Sequence, residues 1–338
     1  VSLASTYADQ RILVTGGLGF IGSNLARALV SMGAKVTIVD SLMPSGGGNL
    51  ENIADIRARV KVEHVDIRDA QSMESLLRGQ QFLFNLAAQS GHAESMLDPQ
   101  ADLEINVRAQ VGILEACRRV CPSVRVVFTS TRQVYGRPDQ LPVNEAHPIR
   151  PVDVNGINKF AAECYHLLYH GVHGIQSTVL RLTNTFGPGM RITDGRQMFL
   201  GLWIRRVLEG GVIQIYGDGS QRRDLMFVDD CVDALLRAGA DARAGGRVYN
   251  VGGREPIRLD ALAQRLLSVA SNLGLRAKLE CVPFPQDRKM IDIGDYAGDH
   301  ARIQHELGWE ARQSLEEGLL RTIRYYLSNP TPYLRSNG

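Results

Sequence analysis

The chain has 338 residues, enough to bury a full core as one large domain or two unequal ones without a metal or a disulfide. Hydrophobic residues make up 44% and charged residues 22%, a globular balance that excludes a disordered chain. Lys+Arg 38 against Asp+Glu 36 leaves a net charge of +2 spread along the sequence, with no basic stripe for nucleic acid and no apolar run of membrane-spanning length. The opening residues Val1 to Tyr7 lack the charged and apolar segments of a signal peptide. Five cysteines without a Cys-x-x-Cys pair read as buried, reduced thiols, Cys117 and Cys121 standing one helical turn apart. The expectation is a soluble, cytoplasmic, enzymatic chain that binds neither nucleic acid nor membrane.

The first predicted strand, Ile12-Leu13-Val14, runs into a glycine-rich turn and then a helix that keeps Ile21, Leu25, Ala28 and Leu29 on one face until Gly33. Val36–Val39, Val62–Val65, Phe82–Phe84 and Val124–Phe128 follow as short, β-branched runs separated by longer segments. Thr178–Leu182 and Val248–Val251 return to the same layer. This alternation predicts an α/β fold, a Rossmann-type doubly wound parallel sheet. Past residue 187 the texture loosens at Gly187-Pro188-Gly189, Asp194-Gly195 and Pro283-Phe284-Pro285. Residues 1–187, with a return near 225–255, therefore read as a dinucleotide-binding domain. Residues 188–224 and 256–338 read as a smaller substrate-binding lobe.

The turn Thr15-Gly16-Gly17-Leu18-Gly19-Phe20-Ile21-Gly22 lies between the first strand and the first helix. Gly16 suits the tight turn, Gly19 the close approach of backbone to a pyrophosphate, and Gly22 close packing of helix on strand. Asp40, at the end of the second strand, would accept hydrogen bonds from the adenosine ribose. Its charge would repel a 2′-phosphate by about 4 kcal/mol for unit charges 4 Å apart at an effective dielectric of 20. No arginine follows it, so the expected cofactor is NAD. Asp66-Ile67, after the third strand, is placed to read the adenine.

The spacing Gly-x-x-Gly-x-x-Gly resembles that of the extended short-chain dehydrogenase/reductase family. Ser45-Gly46-Gly47-Gly48-Asn49-Leu50, Asn85-Leu86-Ala87-Ala88-Gln89 and Ser130-Thr131-Arg132-Gln133-Val134-Tyr135-Gly136 resemble segments of the same family. So do Arg181 to Pro188 and Tyr216 to Asp224. The likeness covers nearly the whole chain and is nearest in kind to nucleotide-sugar epimerases and dehydratases. It implies that Phe20, Ile21, Leu86, Ala87 and Ala88 join the glycines around NAD. It puts Thr131 at the hydroxyl that binds the sugar O4, and Lys159 at the lysine that binds the nicotinamide ribose. Asn184, Arg223 and Arg288 map to residues that hold the diphosphate or nucleoside, with Trp203 and Tyr216 beside the base. The guanidinium fork matches phosphate oxygens, which makes the mapping physically sensible.

The resemblance breaks at one position. The family carries Tyr-x-x-x-Lys, and here the segment Asn155-Gly156-Ile157-Asn158-Lys159 places Asn155 where the phenol belongs. That phenol trades the O4 proton while hydride moves at C4. An amide can orient a hydroxyl but has no proton to trade near neutral pH, and general acid–base catalysis is worth about 10²–10⁴ in rate. Three readings stay open: another group does the proton work, the site binds without turnover, or the asparagine is a change introduced to trap a complex. His92, in the loop after the fourth strand, is one candidate substitute; Tyr135 and Tyr165 are weaker ones.

The resemblance thus implies an NAD-dependent epimerase of an NDP-sugar, most simply at C4 through a 4-keto intermediate. A 4,6-dehydratase would carry Asp-Glu after the threonine, where this chain has Arg132 and Gln133. Arg132 would suit a decarboxylase acting on an anionic sugar. A binder without turnover is the reading from another class. Helices from Asp102 to Arg119 and from Lys159 to about His170 would pair with a second copy, giving a homodimer. No metal site is expected.

Overall fold

The computed structural model describes residues 2–43, 46–193 and 198–329, apart from the side chain of Asp287. Ser45, the turn at Asp194-Gly195 and the end of the expected lobe past residue 329 lie outside the described residues.

Strands in chain order are β1 Arg11–Thr15, β2 Lys35–Val39, β3 Lys61–Glu63, β4 Phe82–Asn85, β5 Arg125–Thr131, β6 Gln176–Leu182, β7 Asn184–Phe186, β8 Val212–Tyr216, β9 Arg222–Phe227, β10 Val248–Val251, β11 Pro256–Arg258 and β12 Lys278–Val282. The central sheet has seven strands in the order β10-β6-β5-β4-β1-β2-β3, every neighbouring pair parallel. Each of the strands read from the sequence occupies a place in it. The third is shorter than its apolar run suggests. It ends at Glu63, because Val65 and Asp66 turn out of the sheet to line a cavity.

Alternation along the strands builds two cores. Ile12, Val14, Phe82, Phe84 and Val127 face one layer with Leu25, Leu29, Cys231 and Leu235. Their neighbours Leu13, Leu83 and Val126 face the other with Met73, Leu77, Ile113 and Cys117. Both sheet faces are thus covered by helices, which explains strands that are apolar throughout. The helix Phe20–Ser31 follows β1 and ends before Gly33, whose φ is +82.

The chain passes from β1 outward to β2 and β3, then returns to β4 on the far side of β1. A crevice opens at such a reversal, beyond the carboxyl ends of the strands. Thr15 pins its two walls together: its Oγ1 donates to Asn85 Oδ1 at 2.9 Å and accepts from the backbone N–H groups of Leu86 and Ala87, both at 3.1 Å.

Two further helical segments flank the next part of the crevice. One starts at Pro99 with Asp98 capping Ala101 N at 3.0 Å, takes a π-helical turn over Glu104–Arg108 and continues as Ala109–Val120. The other is Val154–His173, capped by Asp153 and closed by Gly174 in the left-handed conformation. Beyond the sheet lie a three-stranded sheet, β11-β9-β7, and the parallel pair β12-β8.

Candidate active site

The crevice holds a cavity lined by Gly16, Gly19, Phe20, Ile21, Gly22, Asp40, Asp66, Ile67, Leu86, Ala87 and Ala88, together with Ser90 and Thr129. Gly16 turns the chain at φ +67, and a Cβ there would come 2.9 Å from Ala87 N. A Cβ on Gly22 would come 2.3 Å from Gly16 O, so helix and turn meet backbone to backbone. Gly19 is the N-cap of the helix and brings no side-chain cap, leaving first-turn N–H groups free for an anion. Asp40 accepts from Leu18 N at 3.1 Å on one carboxylate oxygen and from Leu42 N at 2.9 Å on the other. Burial raises its pKa, and the two backbone donors hold it back. Each oxygen keeps a lone pair for a hydroxyl. These residues fit a dinucleotide: a cradle that a Cβ would fill, a bare helix N-terminus and a carboxylate with acceptor capacity. Asp66 is held by Arg68, with the guanidinium 2.6 Å from its carboxylate.

A second cavity adjoins the first. It is lined by His92, Arg132, Gln133, Asn184, Trp203, Tyr216, Arg223 and Arg288, with Arg206, Phe284 and Asp292. Arg132 donates to Asn184 Oδ1 at 2.9 Å and to Gln133 Oε1 at 3.2 Å, and lies 5.3 Å over the Tyr296 ring. Among the described residues no carboxylate lies within ion-pair distance of it. Burial and the nearby Arg223 guanidinium bring its pKa down to about 10. The Nδ2 of Asn184 is buried and has no hydrogen-bond partner. Among the described residues Asn184 Nδ2 is therefore a donor awaiting an acceptor, and Arg132 a hydrogen-bonded cation without a counter-charge. Arg223 is committed already, to Asp292 at 2.8 Å and Gly294 O at 2.7 Å. Arg288 is exposed and sits 5.6 Å over Tyr216, which in turn meets Phe284. Trp203 is a core residue that shows one edge to the cavity; its Nε1 donates to Gln214 O at 3.0 Å.

Both cavities draw on the segment after β4 and on the end of β5. Ser90 lines the first and His92 the second; Thr129 lines the first and Arg132 the second. Thr131 lies between them, its Oγ1 accepting from Gln133 N at 3.2 Å. Lys159 donates to Thr129 O at 2.9 Å and lies 4.9 Å from the Phe128 ring centre. Burial, partly offset by Asp102 and Glu163, pushes its pKa down to about 8.

Asn155 lines neither cavity. It is buried, and its amide donates to Gln89 O at 2.8 Å and to Asp102 Oδ2 at 3.1 Å. The fully buried Asp102 also accepts from Asn106 at 2.9 Å and Asn158 at 2.8 Å.

A residue that the sequence reading missed stands beside His92. Asp153 Oδ2 is 3.0 Å from His92 Nδ1 and accepts from Gln133 Nε2 at 2.8 Å, while its other oxygen caps Gly156 N at 2.6 Å. An aspartate just before a helix signals an N-cap, but no spacing links it to a histidine so far upstream.

Taken together, the reversal crevice with its glycine cradle and the donor-lined cavity beside it define a dinucleotide-dependent enzyme acting on an anionic ligand. Residues 12–252 match the family described as "NAD dependent epimerase/dehydratase family", and the chain belongs to it, with NAD as the cofactor. It is 32% identical to a UDP-glucose 4-epimerase of Mycolicibacterium smegmatis, over 94% of this chain and 98% of the relative. It is 33% identical to a dTDP-glucose 4,6-dehydratase of Streptomyces griseus, over 93% of each. Among solved structures, the UDP-glucose 4-epimerase of Thermotoga maritima with UDP-glucose superposes with a TM-score of 0.85 at 30% identity, covering 95% of this chain and 100% of that one. No helix among the described residues is long and apolar enough to cross a membrane.

Proposed function

We propose that the protein epimerises an NDP-hexose at C4, with NAD in the first cavity and the nucleotide sugar in the second. The observation that carries this reading is the buried donor Asn184 Nδ2, without a partner among the described residues, beside the Arg132 guanidinium, which has no carboxylate partner among them. A diphosphate supplies an acceptor for the amide and a counter-charge for the guanidinium. The aromatic pair Tyr216 and Phe284, with Arg288 above it, suits a nucleobase. Bound NAD supplies a two-electron acceptor that takes hydride from C4 and returns it. Thr131 and Lys159, at the junction, orient the sugar hydroxyl and the nicotinamide ribose. The segments 188–224 and 256–338 act as the sugar-nucleotide lobe on the domain 1–187.

Dehydration is the weaker reading, because Arg132 and Gln133 give no acid–base pair beside Thr131. Decarboxylation of a uronic sugar gains one argument, the absence, among the described residues, of a carboxylate within ion-pair distance of Arg132. Incubation with NAD and a panel of UDP- and dTDP-hexoses and UDP-glucuronate, read by proton NMR of the sugar, tests all three. A C4 epimer supports the proposal; a 4-keto-6-deoxy sugar or a pentose overturns it.

The protein acts as a homodimer. Ile157, Tyr165, Leu168 and Val172 are exposed on one face of the helix Val154–His173, and Leu103 is exposed on the neighbouring one. Such a stripe suits an isologous helix interface. All five cysteines are free thiols, which agrees with a cytoplasmic setting.

A further inference from the structure

We infer that His92, oriented by the buried carboxylate of Asp153, is the group that exchanges the substrate's O4 proton in place of the phenol absent at Asn155. The inference rests on the nucleotide-sugar reading above. The position is the first argument. The loop 90–92 crosses from one cavity to the other, and so does the strand end 129–132 on the facing wall. His92 therefore lines the second cavity only two residues along the chain from Ser90, which lines the first. Asn155, by contrast, is turned away toward Asp102 and Gln89.

The second argument is chemical. The Asp153 side chain is 0% exposed and that of His92 33%. Nδ1 is the ring nitrogen that lies 3.0 Å from the carboxylate, so a proton held there leaves Nε2 as the acceptor. The Nδ1 contact is close but imperfectly aligned, as is common before a ligand closes a site. Asp153 is fixed from three other directions: it caps Gly156, accepts from Gln133, and belongs to a buried helix start. Burial would raise its pKa, but His92, Gly156 N and Gln133 outweigh that and hold it below the usual carboxylate range. The other charged groups lining the same cavity are Glu94, on the helix His92–Leu97, and Arg132, Arg206, Arg223, Arg288 and Asp292.

In the oxidative half, the O4–H bond breaks and its proton passes to His92 Nε2. With NAD bound, the C4–H bond would break with its electron pair leaving as hydride for the oxidised nicotinamide, and a C4 carbonyl would form. In the return half the keto-sugar, turned over in the cavity, would take the hydride back on the opposite face of C4 while His92 returns the proton to O4, so no outside oxidant or reductant would be consumed. His92 is the catalytic residue here, and Asp153 a positioning residue.

The test uses holoenzyme with UDP-glucose as the probe, and the variants His92→Gln and Asp153→Asn. An asparagine amide oxygen still caps the helix, so Asp153→Asn should fold. His92→Gln should lose about 10²-fold or more in kcat while its UDP-glucose Kd, by calorimetry, stays within about threefold. Nitrogen-15 NMR of the histidines should show Nδ1 as the protonated nitrogen of neutral His92. Asp153→Asn should lose that fixed tautomer in the same spectra and lower kcat with it, leaving the UDP-glucose Kd within about threefold. Unchanged kcat in His92→Gln with intact binding, or an unchanged His92 tautomer and kcat in Asp153→Asn, would overturn the proton role alone. No binding of UDP-, dTDP- or GDP-hexoses by the wild type would overturn the nucleotide-sugar reading as well.

Discussion

Replacing Asn155 with leucine separates a structural asparagine from a catalytic one. Leucine has nearly the same size but no donor. Asp102 Oδ2 would lose the amide at 3.1 Å, and Gln89 O the one at 2.8 Å. A hydrogen bond to a charged acceptor is worth about 1.5–3 kcal/mol and a neutral one about 0.5–1.5 kcal/mol. Gln89 O keeps the Asn106 amide at 2.9 Å, so its loss falls at the low end. The sum is about 2–4 kcal/mol of stability, measured by urea unfolding of the cofactor-free protein followed by circular dichroism. A double-mutant cycle with Asp102→Asn should return a coupling of about 1 kcal/mol or more, because the two side chains share one buried network. NAD binding should be unchanged, since Asn155 lines neither cavity. A stability loss below about 0.5 kcal/mol together with lost turnover would refute the reasoning and return the amide to the chemistry.

Asp40→Ala should weaken NAD binding by about 3–6 kcal/mol, two hydrogen bonds to a charged acceptor, and narrow the preference over NADP; calorimetry with both cofactors checks it. Lys159 has a folded pKa of about 8 against an ordinary 10.5, so the folded state holds fewer protons than the unfolded one between those values. Stability relative to Lys159→Met should therefore rise by about 3 kcal/mol as pH goes from 8 to 10.5, and a flat difference across denaturation curves in that window would show that burial does not act on the ammonium. Leu168→Glu with Val172→Glu should convert a dimer to a monomer in light scattering without loss of helicity.

The sheet was legible because its strands are buried on both faces and therefore read as unbroken apolar runs, from Ile12-Leu13-Val14 to Val248–Val251. The glycine turn and Asp40 were legible because their backbone demands leave fixed spacings. What the sequence hid is pairwise and long-range. Nothing local says that Asn155 serves Asp102, or that Arg223 is already engaged by Asp292. The partner of His92 was hidden for the same reason: Asp153 looks like a helix cap, and it is one, but the same carboxylate also faces a loop from another strand. The start of the helix at Pro99 was missed because the apolar pattern begins only at Leu103, whereas the capping aspartate sets the true beginning.

The central claim is that C4 is oxidised and reduced again in place, and an NDP-hexose carrying deuterium at C4 tests it most directly. With enzyme and NAD, the product analysed by proton NMR and mass spectrometry should be the C4 epimer with the deuterium still on C4, because the hydride that leaves returns to the same carbon. Deuterium found on C6 of a 4-keto-6-deoxy product, or a sugar unchanged after long incubation with saturating NAD, would contradict the account.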